Sequence, residues 1–343
     1  MAERSSIALS GAPGSPYTRK MLAVLRYRHI PYRFMTLSAA KAQGMPQAKV
    51  PLLPTFYLPD PSGEIEAVTD SSPLIRRFER DYTGRSIIPA DPAAAFIDML
   101  LEDYADEWLT KAMFHYRWVY AADIKQAAEV LPHWRNAAQS DAAIADQSRA
   151  FAERQIGRLG FVGSNAKTGP VIEQSYTRFV DLLNAHLKAH HFLMGRRPGS
   201  SDFAMFGQLT QLAQFDPTPM ALTLARSPRV YAWSATMEDM SGLEPTKADW
   251  LTAATLPPTI KDILREVART YLPVMLANAR ALQSGAQQVE TTVDGKPWVQ
   301  SPFPYQAKCL RSLREAHQAL DVPSRRTIDA VLSEAGLGSL VGG

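Results

Sequence analysis

The stretch GSPYTRK, residues 14–20, lies where a first strand is expected to give way to a first helix. Residues 6–10 have the pattern of a short strand, and residues 16–29 have the apolar spacing of a helix. Ser15 is placed to cap this helix, because its oxygen can accept from an unpaired backbone N–H and Pro16 has no N–H to leave unpaired. A hydroxyl at a helix N-terminus can also serve a bound anion. The sequence leaves both uses of Ser15 open.

The rest of the N-terminal part continues this strand and helix pattern. Residues 32–37 read as a second strand, and residues 38–49 form a looser connection. Extended segments at 52–58 and 64–69 follow, and then a helix at 72–82. The first 82 residues therefore predict a β-α-β unit, a connection and a β-β-α unit, which form a small mixed α/β layer.

From residue 92 onward the hydrophobic period stays near 3.6, which predicts an all-helical part after a proline-rich linker at 89–92. The predicted helices are 93–119, 141–157, 173–190, 201–212 and 229–240. Beyond residue 257 the pattern predicts helices at 259–283, 305–320 and 325–335, and a hairpin of strands 289–293 and 296–300 around Asp294-Gly295. The predicted units are therefore 1–85, 92–255 and a C-terminal extension, 256–343.

Composition narrows the function classes. The 343 residues include 37 basic and 34 acidic side chains, which give a net charge of +3, too weak a field to suggest nucleic acid as a partner. Cys309 is the single cysteine, so no disulfide can form within the chain. No signal core and no membrane-spanning apolar run is visible, which predicts a cytoplasmic protein without a membrane partner. His186 and His190 are four apart but lack a third ligand, so we expect an exposed pair and no metal.

Two later positions support an anion-binding or peptide-binding use of this corner. Val50-Pro51 opens an extended run directly after a loop, where a turn-forming proline presents the backbone of the preceding residue to a bound peptide. Asp70-Ser71 precedes the predicted helix 72–82 and offers a second helix N-terminus with a hydroxyl.

With these residues in place, the chain resembles the cytosolic glutathione transferase superfamily, in a bacterial-type form with serine at the thiol-activating position and a C-terminal extension. The resemblance is carried by five segments in order over about 230 residues: Ser15-Pro16-Tyr17-Thr18-Arg19-Lys20, Lys49-Val50-Pro51, Thr69-Asp70-Ser71-Ser72, residues 195–203 and residues 227–233. It implies a thioredoxin-like N-terminal domain and an all-α glutathione transferase C-terminal domain, followed here by a helical extension with a β-hairpin.

The resemblance also implies a binding site for glutathione as co-substrate. Val50 is expected to bond the cysteinyl backbone, and Pro51 is expected to be cis. Asp70 and Ser71 are expected to hold the γ-glutamyl end, and Lys49 to reach the glycyl carboxylate. The family more commonly has Glu than Asp before this serine, so the contact of Asp70 is shortened.

Ser15 is then the expected donor to the glutathione sulfur, with Thr18 as the alternative. Lowering a thiol pKa of ~8.5 by two units needs roughly 2.7 kcal/mol. A hydrogen bond to a charged acceptor supplies ~1.5–3 kcal/mol and a helix N-terminus ~0.3–1 kcal/mol. One hydroxyl and one helix end are therefore about enough. Since no cysteine lies near position 15, the chain cannot form a mixed disulfide there.

The second substrate is expected where the first helix of the helical domain faces the sulfur. The predicted pocket residues are Tyr17, Tyr104, Trp108 and His115, although core packing or a dimer interface explains the last three at least as well. The acidic residues of the same segment, Asp103, Asp106 and Glu107, are expected mainly on a solvated face.

The sequence thus predicts a glutathione transferase-like detoxification enzyme in which a thiolate attacks a small electrophile. By resemblance it is a homodimer. The alternative is a ligand-binding or regulatory protein that kept the fold without turnover, because fold alone does not determine function.

Overall fold

The N-terminal part of the computed structural model, which describes residues 6–342, is built on a four-stranded mixed sheet in the order β2-β1-β3-β4. Strand β1 (Ile7–Gly11) pairs in parallel with β2 (Tyr32–Thr36) and antiparallel with β3 (Thr55–Pro59). Strand β4 (Ile65–Val68) pairs antiparallel with β3. The predicted mixed α/β layer is confirmed.

Three helices accompany this sheet: α1 (Pro16–Tyr27), α2 (Leu37–Ala42) and α3 (Ser71–Asp81). Helix α2 lies at the start of the segment that the sequence describes only as a loose connection. It forms because the side chain of Thr36 caps it, accepting from the backbone N–H of Ala39 at 3.2 Å.

The helical part begins with a helix that the structure divides. Instead of one helix over 93–119 there are α4 (Pro92–Tyr104), a single π-helical turn (Ala105–Leu109) and α5 (Thr110–Val119). It continues with α6 (Ala121–Val130), α7 (Asp141–Ile156), α8 (Gly169–Leu187), α9 (Ser200–Leu212), α10 (Pro217–Arg226) and α11 (Pro228–Thr236). Helices α6 and α10 are absent from the sequence prediction, and the others lie where it places them.

The C-terminal extension contains a long helix, a hairpin and three further helices, as predicted apart from the last short helix. Its elements are α12 (Pro258–Ser284), β5 (Val289–Val293), β6 (Lys296–Gln300), α13 (Pro304–Gln318), α14 (Val322–Ala335) and α15 (Gly338–Val341). Asp294 and Gly295 join the two strands with φ of 51° and 72°, the positive values that a type I′ turn requires.

Two large hydrophobic clusters organise the molecule. One lies between the sheet and α1 and α3, and it includes Leu9, Val24 and Phe78. The other spans the helical part and the extension together, because buried residues of α12, α13 and α14 pack with those of α4, α5 and α8. The extension is therefore built into the helical part. Within residues 6–342, no helix is both long enough and apolar enough to cross a membrane.

Candidate active site

Ser15 caps α1 and also has a hydroxyl proton that can be donated. Its Oγ accepts from the backbone N–H of Thr18 at 3.2 Å and donates to the carbonyl oxygen of Leu53 at 3.4 Å. A serine hydroxyl has one donor and two acceptor lone pairs, so capping uses a lone pair, and the O–H that now donates to Leu53 can turn toward another acceptor. The two uses left open by the sequence are therefore compatible at one oxygen.

The two neighbours of Ser15 in the opening stretch have other contacts. Thr18 is fully buried, and its Oγ1 accepts from the backbone N–H of Ala12 at 3.4 Å. Tyr17 is partly buried, and its OH donates to the carbonyl oxygen of Asp106 at 2.7 Å. Thr18 therefore stabilises the turn between β1 and α1, and Tyr17 links α1 to the π-helical turn.

The expectation that Pro51 is cis is wrong. The cis peptide bond of this region joins Leu53 to Pro54, directly before β3, whereas Val50 and Pro51 lie in an exposed loop with Lys49. Several prolines precede this strand, and periodicity alone does not show which of them adjoins the first paired residue. The backbone that lies beside Ser15 is that of Leu53.

Asp70 and Ser71 stand at the start of α3, as the sequence predicts. Asp70 has φ of 85° and ψ of 105°, a conformation that non-glycine residues rarely adopt; residues strained in this way cluster at active sites and ligand-binding sites. Its carboxylate accepts from Tyr305 OH at 2.8 Å and Lys308 Nζ at 3.0 Å, both from the extension. The Ser71 hydroxyl accepts from Lys20 Nζ at 3.3 Å.

The aromatic pocket residues fit the packing alternative. Tyr104, Trp108 and His115 are all buried in the helical part. Trp108 Nε1 donates to Ser175 Oγ at 3.0 Å, and His115 Nε2 lies 3.0 Å from a carboxylate oxygen of Glu173. Their near-helical spacing turns them toward the interior of the helical part rather than toward the sheet.

The expectation of a solvated acidic face is also wrong. Asp106 is 7% exposed and Glu107 is 6% exposed, because the π-helical turn carries them toward α1 and α13. With two preceding residues they form what we call the carboxylate cluster: Glu102, Asp103, Asp106 and Glu107. Fully buried Lys20 of α1 donates to Glu102 at 2.8 Å and to Asp106 at 2.6 Å.

Burial and the unequal number of nearby cations give the carboxyls of this cluster different pKa values. Burial opposes the charged form of Glu102, but Lys20 and Arg76 outweigh it and lower its pKa to about 2. Burial raises the pKa of Asp103 to about 7, and that of Asp106 to about 6 despite Lys20. Burial, and then the charge of Asp103, raises the pKa of Glu107 well above its usual value.

Sequence reasoning missed Lys20 and the grouping of the carboxylates. A signal was available: acidic residues at i, i+1, i+4 and i+5 share one side of a helix, where like charges repel. That pattern does not tell a solvated face from a buried one, since the partners of the cluster come from distant segments.

The described residues offer no evident metal centre. Within 6–342, no group of three or more His, Cys, Asp or Glu side chains is arranged to hold an ion. His186, expected at the surface, is fully buried and contacts Thr259 Oγ1 at 2.8 Å and the carbonyl oxygen of Phe192 at 3.0 Å.

Two family models match the chain. The model described as "Glutathione S-transferase, N-terminal domain" matches residues 9–86, and that described as "Glutathione S-transferase, C-terminal domain" matches residues 173–240. The sequence has no match among curated proteins.

Several solved structures are similar to this chain. A glutathione transferase family member from Pseudomonas fluorescens Pf-5, "with two glutathione bound", is 14% identical at a TM-score of 0.43, over 69% of this chain and 89% of that one. The Tau class glutathione S-transferase of mango, Mangifera indica, is 19% identical at a TM-score of 0.39, over 71% and 94%. FzlA from C. crescentus is 14% identical at a TM-score of 0.39, over 76% and 92%.

The matched segments coincide with the mixed sheet layer and with α8 to α11 of the helical part, in the order that the resemblance predicts. The chain therefore carries a thioredoxin-like N-terminal domain and a helical C-terminal domain of the glutathione S-transferase type, followed by an extension with extra helices and a two-stranded hairpin.

Proposed function

We propose that the protein is a glutathione-dependent transferase in which Ser15 stabilises the thiolate of bound glutathione. The observation that carries this proposal is the double hydrogen bonding of Ser15 Oγ, which caps α1 through a lone pair and aims its O–H at the backbone of Leu53. A donor, a helix N-terminus and a peptide backbone thus meet at one point, the combination that a cysteinyl thiolate requires.

The remaining contacts of the tripeptide follow from this placement. Leu53, rather than Val50, presents the peptide group that bonds the cysteinyl backbone, because its carbonyl lies beside Ser15. Asp70 and Ser71 hold the γ-glutamyl end at the start of α3. Exposed Lys49 on the loop before β3 reaches the glycyl carboxylate.

The reaction is a nucleophilic substitution or addition at a small electrophilic carbon. The thiol loses its proton to solvent, the Ser15 O–H turns from Leu53 to the sulfur, and the thiolate electron pair forms the sulfur–carbon bond. In a substitution the leaving group departs with the electron pair of the broken bond. In an addition the π electron pair of the double bond moves to the neighbouring carbon, which takes a proton from solvent. The protein lowers the barrier by keeping the sulfur in its charged form.

The test follows the ultraviolet absorbance of bound glutathione thiolate against pH. Removing a hydrogen bond to a charged acceptor costs ~1.5–3 kcal/mol, so Ser15→Ala should raise the pKa of the bound thiol by about 1–2 units. Ser62→Ala removes an exposed hydroxyl in the turn between β3 and β4 and should leave that pKa unchanged. An equal pKa in wild type and Ser15→Ala would exclude the proposed role of Ser15.

A second candidate is a ligand-binding or regulatory protein without turnover. The observation that favours it is the engagement of the Asp70 carboxylate by Tyr305 and Lys308, which compete with an incoming glutamyl ammonium. Glutathione that binds tightly but shows no thiolate absorbance at neutral pH would support this candidate over the transferase.

By the resemblance, we propose a homodimer that acts in cytoplasmic detoxification. Sedimentation equilibrium of the full chain measures the oligomeric state directly.

A further inference from the structure

A cavity of about 250 Å³ lies between the start of α3, the junction of α4 with the π-helical turn, and α13. Five carboxylates line it, Asp70 and the four members of the carboxylate cluster, against two cationic side chains, Arg76 and Lys308. Its walls also include the apolar surfaces of Pro73 and Met99. A small molecule in this cavity is therefore surrounded by more carboxyl groups than cationic groups.

Some of these carboxylates form ion pairs with side chains of the protein. Glu102 pairs with Lys20 at 2.8 Å and with Arg76 at 2.9 Å. Asp70 pairs with Lys308 at 3.0 Å. The chain therefore already places an ammonium group against carboxylates at two points around the cavity, which shows the kind of group that this wall accepts.

Among the residues that the structure describes, Asp103 and Glu107 have only neutral partners within hydrogen-bond reach. Asp103 accepts from the phenol of Tyr271 and bonds the thiol of Cys309. Glu107 bonds the side chain of Gln306, and the charge of Lys111 acts on it without a hydrogen bond between them. These two carboxylates lack an ion pair at the cavity wall.

Asp106 gives a separate indication that this cavity receives a hydrogen-bond donor. Its Oδ2 accepts from Lys20 Nζ at 2.6 Å, but its Oδ1 is buried without a hydrogen-bond partner among residues 6–342, although the residue lines the cavity. A buried carboxylate oxygen without a donor is costly, and such atoms are rare in folded proteins. The π-helical turn that carries Asp106 is an irregularity found frequently at functional sites.

We propose that this cavity binds a small aliphatic ammonium ion, with the ammonium group donating to Asp106 and Glu107 and the alkyl chain lying against Met99 and Pro73. The volume equals that of about eight water molecules, at ~30 Å³ each, which suits a short alkyl diamine. A bare metal ion fits less well, because no group of three or more ligating side chains within 6–342 is arranged for one. The cavity shares Asp70 with the proposed glutathione site, but the proposed contacts with Asp106 and Glu107 do not require turnover there.

Binding of a cation should displace protons. The carboxyls of Asp103 and Asp106, with pKa values of about 7 and about 6, are partly protonated near neutral pH. A cation beside them favours their charged form, so protons leave as it binds. The charged and titratable groups that face them are Tyr17, Lys20, Asp70, Arg76, Glu102, Glu107, Lys111, Tyr271, Tyr305, Lys308 and Cys309.

The test is calorimetric titration of the full-length protein with 1,4-diaminobutane at pH 7, with 1,4-butanediol as the uncharged control. We expect one site for the diamine and none for the diol. The diamine heats should differ between phosphate and Tris buffers, because the buffer takes up the released protons and the two buffers have different protonation enthalpies. Glu107→Gln should weaken diamine binding at least tenfold, whereas Glu290→Gln, at an exposed carboxylate on β5, should change it less than twofold.

Circular dichroism checks that each variant is folded, and Asp106→Asn serves as a second probe should Glu107→Gln fail to fold. Equal diamine affinity in wild type and in a folded variant, or equal heats for diamine and diol, would overturn the proposal. Repeating the diamine titration in the presence of saturating glutathione shows whether the two ligands bind at the same time. Diamine binding in a protein that does not bind glutathione would refute the proposed function alone.

Discussion

At the scale of single residues, Lys20 connects the two domains electrostatically. It lies in the opening stretch on α1, yet its ammonium group bonds Glu102 and Asp106 of the helical domain and the hydroxyl of Ser71. Burial disfavours its charge, but Asp106 and Glu102 outweigh burial and raise its pKa. Lys20 therefore keeps the buried junction charged and paired.

Lys20→Met should destabilise the protein by about 3–5 kcal/mol, because two buried carboxylates lose their shared cation. Urea unfolding at pH 7 measures the loss. Lys41→Met removes an exposed lysine from α2 and should change the free energy of unfolding by less than about 0.5 kcal/mol. A loss below about 1 kcal/mol for Lys20→Met would mean that the cluster is neutral without it.

Asp103 should make stability depend on pH. Burial raises its pKa to about 7, so its contribution is full below the unfolded value of ~3.9 and is lost as pH rises toward 7. The free energy of unfolding of Asp103→Asn, taken relative to that of wild type, should therefore rise by about 1–3 kcal/mol between pH 4 and pH 7. Above pH 7 this difference should stay constant. Urea unfolding at half-unit pH steps tests this, and a difference that does not vary with pH contradicts it.

At the scale of elements, the extension completes the helical core. Trp298 of β6 is fully buried, with its ring centroid 5.2 Å from that of Trp108. Leu313 of α13 is likewise fully buried in the cluster that joins the extension to the helical domain. The same helix presents Tyr305 and Lys308 to Asp70, so packing of the extension and access to the candidate site are linked.

Leu313→Ala should cost about 2–5 kcal/mol, the usual effect of removing a buried leucine side chain. If the extension and the helical domain unfold together, tryptophan fluorescence and far-ultraviolet circular dichroism should show one shared transition at a lower urea concentration. Leu224→Ala, at a leucine of α10 that is 40% exposed, is the control and should have a small effect. An early separate transition would show that the extension unfolds independently.

At the scale of the whole molecule, the packing of α1 against α9 sets how the domains meet. Gly207 of α9 lies so close to α1 that an added Cβ would stand 2.6 Å from the carbonyl oxygen of Pro16 and 3.1 Å from the Cβ of Lys20. Arg19 and Arg26 of α1 both pair with Glu238, beyond α11. This close approach holds the start of α1, and therefore Ser15, against the helical domain.

Gly207→Val should destabilise the protein by about 2–3 kcal/mol, because the added carbons overpack a helix interface. It should also weaken glutathione binding if Ser15 moves with α1. Gly242→Val, where an added Cβ meets nothing within 4 Å, should leave both quantities nearly unchanged. Thermal unfolding and glutathione titration measure the two effects, and wild-type stability in Gly207→Val would show that the interface yields without cost.

Much of the fold could be predicted because its signals are local. Ser15, Asp91 and Ser227 each cap a helix by accepting from a backbone N–H three residues later, followed in every case by a proline. Hydrophobic period likewise reflects which side of one helix or strand meets the core. Missed helices such as α2 and α10, and the π-helical turn, show that local signals fade in short or irregular segments.

The sequence by itself determined the order of the strands and of the longer helices, the two-domain architecture and the hydroxyl at the start of α1, since these depend on residues a few positions apart. Only the tertiary structure decided that Leu53 lies beside that hydroxyl, that Trp108 packs in the core, and that Asp106 is buried beside Lys20. Those outcomes depend on partners 38 to 190 residues away in the chain. The periodicity of a single segment carries no information about the distant groups that will surround it.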